Sequence, residues 1–182
     1  NIAKDTKKMD QIEERKKAAG ARFAPTVQKE LSSLQVLDYI CGQGDRHARN
    51  FFLEYDEEKK QYTHVHGIDN DMSFGTGVDF GARVKKEGLG EGKMRVVVDA
   101  EGNLAIPHMD KQLAQNIKNL TEEEFRFALE DLIEPAFLDA AVARLKKMQS
   151  AIHKEESKHS NVFVENDEAW GNDTMEGFLQ GT

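Results

Sequence analysis

The sequence predicts an α+β fold in which helices predominate. Apolar side chains recur at helical spacing over residues 26–41 and again after Asp110, as they do in helices that bury one face. Between these regions, the segments 51–55 and 62–68 are short, rich in strand-forming residues and separated by a polar turn, which is typical of a β-hairpin. The chain has 182 residues, enough for one domain with a hydrophobic core.

Charge and periodicity divide the chain into three parts. Residues 1–25 are polar almost all round and rich in helix formers, so we predict a polar helical lead-in. Residues 26–155 hold nearly all of the periodic apolar positions and should form the folded body. Residues 156–182 are acidic and aperiodic, which predicts a flexible tail, within which Trp170 and Phe178 could dock onto the body.

The core helix predicted over 26–41 ends where glycine interrupts its pattern. Gly42 and Gly44 follow the last apolar position and should stop the helix. The residues that form its apolar stripe are Val27, Leu31, Leu34, Leu37 and Cys41. Because Cys41 lies in this stripe, we interpret it as a packing residue rather than a reactive thiol.

Composition excludes several classes of function. The formal net charge is −8 and the isoelectric point is about 5.3, which disfavours a nucleic-acid partner because phosphates attract a basic surface. No apolar run approaches the roughly 20 residues that a membrane helix needs. A single cysteine cannot form an internal disulfide, which favours a reducing, cytoplasmic location. A delivered bacterial effector is one conceivable context.

The second half of the body begins with a loop and a second hairpin. Residues 75–93 are rich in glycine and lack periodicity, so we predict a loop. Residues 94–98 and 104–106 flank a turn at 101–103 and should pair as two strands.

Three helices should follow the second hairpin. Asp110 can cap the first, and Thr121 with Glu124 forms a capping box for the second. The third begins at about Pro135 and carries a long apolar stripe. Its basic residues are interpreted as a solvated face, and they are Arg144, Lys146 and Lys147.

Polar residues concentrate in two clusters that the first hairpin joins. The cluster at 44–50 follows the core helix, and the cluster at 68–71 ends the second strand. A hairpin brings its two open ends together, so Asn50 and Asp69 should lie near each other.

The spacing of these residues suits phosphoryl transfer. Magnesium prefers oxygen ligands, usually one or two carboxylates together with nucleotide phosphates. A separate carboxylate must orient the attacking hydroxyl and accept its proton. Protein kinases use an aspartate, four intervening residues and an asparagine, followed later by a metal-binding aspartate. Asp45, Asn50 and Asp69 reproduce this order, which predicts ATP and Mg²⁺ (or Mn²⁺) as cofactors.

The two clusters resemble the catalytic segments of atypical kinases. The order Asp-Arg-His at 45–47, with Asn50 after it, is similar to the catalytic loop of phosphoinositide kinases, actin-fragmin kinase and the secretory-pathway protein kinases. The Asp-Asn pair at 69–70, with Phe-Gly at 74–75, is similar to the metal-binding segment, most of all in the secretory-pathway kinases. The resemblance covers residues 31–75.

The resemblance implies a role for each matching residue. It makes Asp45 the catalytic base. It makes Asn50 and Asp69 ligands of the metal ion that binds the nucleotide. Arg46 and His47 would support the loop around the base. Asp71 would add a further contact at the metal. The implied fold is the mostly helical C-lobe of a kinase with small β-hairpins.

The sequence also departs from the kinase pattern. Kinases place a glycine-rich loop and a phosphate-binding lysine upstream of the catalytic loop, and the residues before Asp45 contain neither. The glycines at 88–92 lie downstream and are interpreted as part of a connection. We therefore expect the N-lobe to precede Asn1 or to be supplied by another chain. The secretory-pathway relatives also use disulfides, which argues against transferring their location or substrates to this chain.

Three questions stay open on the sequence. The acceptor is expected to be a protein serine or threonine, although lipid and small-molecule hydroxyls are used by similar folds. A first alternative is a metal-dependent hydrolase, because His64 and His66 share one face of a strand and could join His47, Asp69 and Asp71. A second alternative is a pseudokinase-type scaffold or interaction module.

Overall fold

A computed structural model describes residues 6–8, 22–44, 46, 50–74, 97–158, 160–165 and 170. Within these residues the chain forms an α+β fold, as predicted. It has four helices, a four-stranded sheet and a two-stranded parallel sheet. The likeness to a kinase C-lobe remains a prediction.

The first helix, α1, runs from Pro25 to Cys41 and matches the predicted core helix. Pro25 stands at its first position, where a missing N–H costs nothing. Gly42 ends the helix in the left-handed conformation at φ 71°, which glycine adopts without strain.

The face that α1 buries differs from the predicted apolar stripe. Leu37 was predicted to pack in the core, but 56% of its surface is exposed. Polar residues are buried instead, because the helix lies between the sheet on one side and the last long helix on the other. One of these, Ser32, donates from its hydroxyl to the backbone carbonyl of His108 at 2.7 Å. The buried polar residues of α1 are Gln28, Ser32, Gln35 and Asp38.

The predicted first hairpin is present. Strand β3, Phe51–Asp56, pairs antiparallel with β4, Gln61–Gly67, and Phe51 lies opposite Gly67. Phe51, Leu53 and Tyr62 face the N-terminal half of α1 and form a small core with it.

Two further strands, both from the predicted lead-in, complete this sheet. Strand β1, Thr6–Lys8, runs antiparallel to β3, and β2, Arg22–Phe23, runs parallel to β4. The strand order is β1-β3-β4-β2. The prediction of a helical lead-in is therefore wrong for these residues. The hairpin edges carry backbone groups that need partners, and pairing with them overrides the local helix preference.

The remaining described elements form a second core around the C-terminal half of α1. They are β5, Met109–Asp110; α2, Lys111–Asn119; α3, Glu122–Leu129; α4, Pro135–Ser157; and β6, Phe163–Val164. The predicted caps are confirmed, since the Asp110 side chain accepts from the N–H of Leu113 and the Thr121 and Glu124 pair forms the capping box. In the described part of the second hairpin, an antiparallel bridge joins Val98 and Leu104, and residues 94–96 lie outside the described residues. Residues 75–96, which include the glycine-rich loop, lie outside the described residues.

The described part of the predicted flexible tail is structured. Strand β6 pairs in parallel with β5, and Trp170 is 1% exposed and packs edge-on against His108. The tail prediction is wrong for residues 160–165 and 170, because their few apolar side chains are buried against the body. Phe178 lies outside the described residues.

No helix in the described ranges has the apolar length to cross a bilayer, and the longest, α4, carries charged residues along its 23 positions.

Candidate active site at the open end of the hairpin

The open end of the β3–β4 hairpin brings the two polar clusters together. The register continues one step beyond the last strand pair, where the N–H of Ile68 donates to the carbonyl of Asn50 at 3.0 Å. Asp69 is the next residue along the chain, so its backbone lies beside the start of β3. The sequence prediction that the hairpin would bring these two segments together is correct at the level of the backbone.

Arg46 joins the clusters through all five of its N–H donors. Its Nε and Nη2 donate to the two carboxylate oxygens of Asp38 at 2.8 and 2.9 Å. Its Nη1 donates to the carbonyls of Asn50 and Ile68, and Nη2 also donates to the side-chain oxygen of Asn70. A guanidinium has five donors, so none is left for a substrate. Arg46 therefore connects α1, the residue before the start of β3 and the segment after β4.

The Arg46–Asp38 pair is buried. Arg46 is 5% exposed and Asp38 is 6% exposed. Burial raises the pKa of the Asp38 carboxyl above its usual range, while the hydrogen bonds and charge of Arg46 oppose this effect. Removing either partner would leave a charge in the interior without its counter-charge.

The segment after β4 turns back onto the end of α1. Asp69 has φ 57° and Phe74 has φ 61°, both in the left-handed region that side chains other than glycine rarely adopt. The N–H of Phe74 donates to the carbonyl of Cys41 at 2.6 Å, and that of Ser73 donates to the carbonyl of Asn70 at 3.0 Å. The side-chain amide of Gln43 donates to the carbonyl of Asp69 at 2.9 Å. These bonds fix the loop 69–74 against the residues that follow α1.

The predicted metal ligands differ in how exposed they are. Asp69 and Asp71 are exposed, and within the described part of the chain neither forms an ion pair. Asn50 is buried, with its backbone carbonyl taken up by Arg46 and Ile68. Among the predicted metal ligands, the carboxylates of Asp69 and Asp71 are therefore more accessible than the side chain of Asn50. Asp45 and His47 lie outside the described residues, so their predicted roles remain predictions.

The two strand histidines are each paired with a different carboxylate. Nδ1 of His64 lies 2.9 Å from the Glu30 carboxylate on α1, and Nε2 of His66 lies 3.2 Å from that of Glu54 on β3. No three histidine, cysteine or acidic side chains meet as a ligand group within the ranges that the structure describes. A magnesium site made of one or two carboxylates and nucleotide phosphates requires no such group. The hydrolase alternative also depends on His47, which is not described.

Sequence reasoning missed three residues that organise this end of the hairpin. Asp38 was given no role, yet both of its carboxylate oxygens accept from Arg46. Gln43 lies in the helix stop but is buried and reaches Asp69. Asn70 holds Arg46 from the other side. The one signal in the sequence was the position of Asp38, near the end of the predicted core helix and eight residues before Arg46.

The structure agrees with the interpretation of Cys41 and contradicts that of Arg144. Cys41 is half-buried, and burial, reinforced by the nearby Asp38 charge, raises the pKa of its thiol to about 11. A thiol that stays protonated at neutral pH agrees with a packing role. The interpretation of Arg144 as part of a solvated face is wrong: it is 8% exposed and lies against the end of α1, whereas Lys146 and Lys147 are exposed.

Comparison with known proteins adds no relative to this picture. No protein-family model matches the chain, and no curated protein matches it in sequence.

Proposed function

We propose that this chain supplies the metal-binding and catalytic half of an atypical ATP-dependent kinase, which transfers the γ-phosphoryl group to a hydroxyl. A protein serine or threonine is the favoured acceptor. The observation that carries the proposal is the bonding of Arg46, the arginine of the Asp-Arg-His order, to both of the resembling segments. One buried guanidinium thus binds both segments, which the hairpin pairing alone does not require.

The proposed roles follow from position and chemistry. Asp45 accepts the proton of the attacking hydroxyl. Asp69, with Asn50 and Asp71, would hold Mg²⁺ or Mn²⁺, which when bound offsets the charge of the phosphates. Arg46 has no free donor and is buried, so it shapes the loop and does not contact the nucleotide.

The exposed acid groups support a cation at this end. Asp38 neutralises Arg46, so the guanidinium charge is already balanced inside the domain. Asp69 and Asp71 lie two residues apart on a loop held rigidly by Gln43 and by the Phe74–Cys41 bond. A loop whose backbone is held by hydrogen bonds loses little backbone freedom when its carboxylates bind a metal ion.

Paramagnetic NMR tests the metal assignment directly. Mn²⁺ titrated into the labelled full chain in the presence of ATP should broaden the amide signals of Asn50 and Asp69 first. Asp69→Asn should weaken this broadening, because it removes the charge but keeps a residue that tolerates the left-handed conformation. The matched control is Asp56→Asn at the far end of the hairpin, about 20 Å from Asn50 along the strand.

The possible outcomes separate the proposal from its alternatives. Broadening that Asp69→Asn does not change would overturn the ligand assignment. With labelled ATP and a protein acceptor mixture, Asp45→Ala should lower turnover by orders of magnitude while leaving nucleotide binding intact. Nucleotide binding without transfer, by the chain in its full natural length, would favour the scaffold. Zinc retained after dialysis, in place of magnesium-dependent nucleotide binding, would favour the hydrolase.

A further inference from the structure

Arg144 reaches from the middle of α4 to the end of α1. It is buried, and its Nε donates to the backbone carbonyl of Ile40 at 2.8 Å across 104 residues of sequence. The carbonyls of a helix's last turn have no partner within the helix and carry its negative dipole end. A guanidinium therefore meets a free acceptor and a favourable field at this position.

The same guanidinium occupies the space beside Gly42. A Cβ atom added to Gly42 would lie 2.7 Å from Cζ and 2.8 Å from Nη2 of Arg144, closer than real contacts allow. Gly42 also has φ 71°, which residues with a side chain rarely adopt. The turn out of α1 is thus set by Gly42 and Arg144 together.

Stability alone does not account for an arginine here. Nη2 of Arg144 is buried and has no acceptor within the described part of the chain, which costs free energy. Burial also lowers the pKa of Arg144, a sign of the desolvation that the charge experiences. A methionine of similar reach would fill the same space without these costs. It could not bind the Ile40 carbonyl.

The turn at Gly42 leads directly into the candidate active site. The next residue, Gln43, donates its N–H to the carbonyl of Asp38 at 2.8 Å and its side-chain amide to the carbonyl of Asp69. A shift of the chain at Gly42 would move both of these bonds, and with them the loop that carries the exposed carboxylates.

We propose that Arg144 is a positioning residue, which fixes the exit of the chain from α1 and thereby the geometry of residues 42–44 and of the Asp69 loop. The catalytic consequence rests on the proposed function, but the structural effect does not.

Amide hydrogen exchange on the full chain tests the structural effect. In Arg144→Met, the amides of Gly42 and Gln43 should exchange at least about tenfold faster. This factor corresponds to the lower end of the stabilisation that a hydrogen bond to a charged group provides. The amide of Leu53, in the sheet, serves as the internal reference for any change in global stability. Arg144→Lys, which keeps the charge, should restore part of the protection, and the exposed Lys147→Met should change nothing. Equal acceleration at Leu53 and Gln43 would overturn the proposal, since it would mean general destabilisation.

A double-mutant cycle tests the contact between Gly42 and Arg144 independently of hydrogen exchange. Gly42→Ala should lower the unfolding midpoint less in an Arg144→Ala background than in the wild type, because the clash has been removed. The backbone strain at φ 71° is common to both backgrounds and cancels. Additive effects of the two changes would refute a functional contact between these residues.

Kinetics separates this inference from the proposed function. Arg144→Met should lower kcat by up to about a hundredfold, the scale for misplacing a reacting group by 1 Å, with KM for magnesium-bound ATP unchanged. Arg144→Lys should recover part of kcat. A rise in KM with unchanged kcat would contradict the positioning role. If the wild type transfers no phosphoryl group, the proposed function fails, whereas the exchange experiment still decides the role of Arg144.

Discussion

Replacing Arg46 with methionine is the most informative single perturbation of this fold. Methionine has similar length but no donors, so the change removes five hydrogen bonds to four acceptor groups at once. It leaves the Asp38 carboxylate inside the domain without its cation. Arg46→Met thus disconnects α1 from both open ends of the hairpin.

The expected loss of unfolding free energy can be worked out from the buried groups that lose their partners. Removing one partner of a buried ion pair costs about 3–5 kcal/mol. The carbonyl of Ile68 also loses a donor, and an unsatisfied buried acceptor adds about 1–3 kcal/mol. We expect Arg46→Met to lower the free energy of unfolding by about 4 kcal/mol or more, a large share of the roughly 5–15 kcal/mol typical of a domain. Asp38→Asn should cost less, about 2–3 kcal/mol, because three of the Arg46 donors keep their acceptors.

Urea unfolding followed by tryptophan fluorescence measures these costs. Trp170 is the single tryptophan of the chain and is 1% exposed, so its emission reports on the folded body. The matched control is Arg126→Met. It removes a guanidinium that binds the carboxylates of Glu122 and Asp139 at the surface of α3. Its unfolding midpoint should stay close to that of the wild type, because exposed ion pairs contribute little.

Two results would refute the reasoning about Arg46. One is a loss no larger for Arg46→Met than for Arg126→Met. The other is strict additivity in the cycle that combines Asp38→Asn with Arg46→Met, since partners in direct contact should show an interaction term of about 0.5–3 kcal/mol.

Three other perturbations test the packing, a cap and a turn. Leu53→Ala empties a fully buried position of β3 and should cost about 2–5 kcal/mol in urea unfolding. Asp110→Ala removes the cap that accepts from the N–H of Leu113 and should cost about 1 kcal/mol, with Asp110→Asn retaining most of the stability. Hydrogen bonds from the side chain and backbone of Asn103 hold the pKa of the Asp99 carboxyl below its ordinary 3.8. Such a carboxyl stabilises the fold above its unfolded-state pKa, and this stabilisation is lost as the pH falls through the lower folded-state pKa, so Asp99→Asn should flatten stability against pH below about pH 4.

The elements that sequence reasoning predicted carry their signals locally. Helix α1 has periodic apolar residues, a proline at its start and a glycine at its end, so its bounds were predicted to within one residue. The Thr121 capping box and the first hairpin are likewise encoded in short stretches. Strands β1 and β2 carry no such signal, because they form only where the hairpin offers unpaired edges. The two-residue strand β6 is too short to show periodicity.

The proximity of Asn50 and Asp69 along the backbone was predictable, but the side-chain contacts around them were not. The spacing of the polar clusters placed Asn50 and Asp69 at one end of a hairpin, since a hairpin of any register joins its own ends. The partners of Arg46 come from three separate segments, and a sequence shows no preference among many acidic and amide residues. Arg144 looked like a surface charge for the same reason: its acceptor is a backbone carbonyl, which every residue offers.

The charges around the end of α1 connect stability with the proposed chemistry. Arg46 is balanced by Asp38, and Arg144 meets the negative end of the helix dipole, so both buried cations are compensated within the protein. Neither is available to neutralise Asp69 and Asp71. Arg46 binds Ile68 and Asn70 beside them, and Arg144 is proposed to fix the same loop through Gly42. Under the proposed function, these carboxylates bind a divalent cation, and their placement depends on the loop that carries them. Substitutions that loosen Arg46 or Arg144 should therefore weaken cation binding even though neither side chain touches the ion.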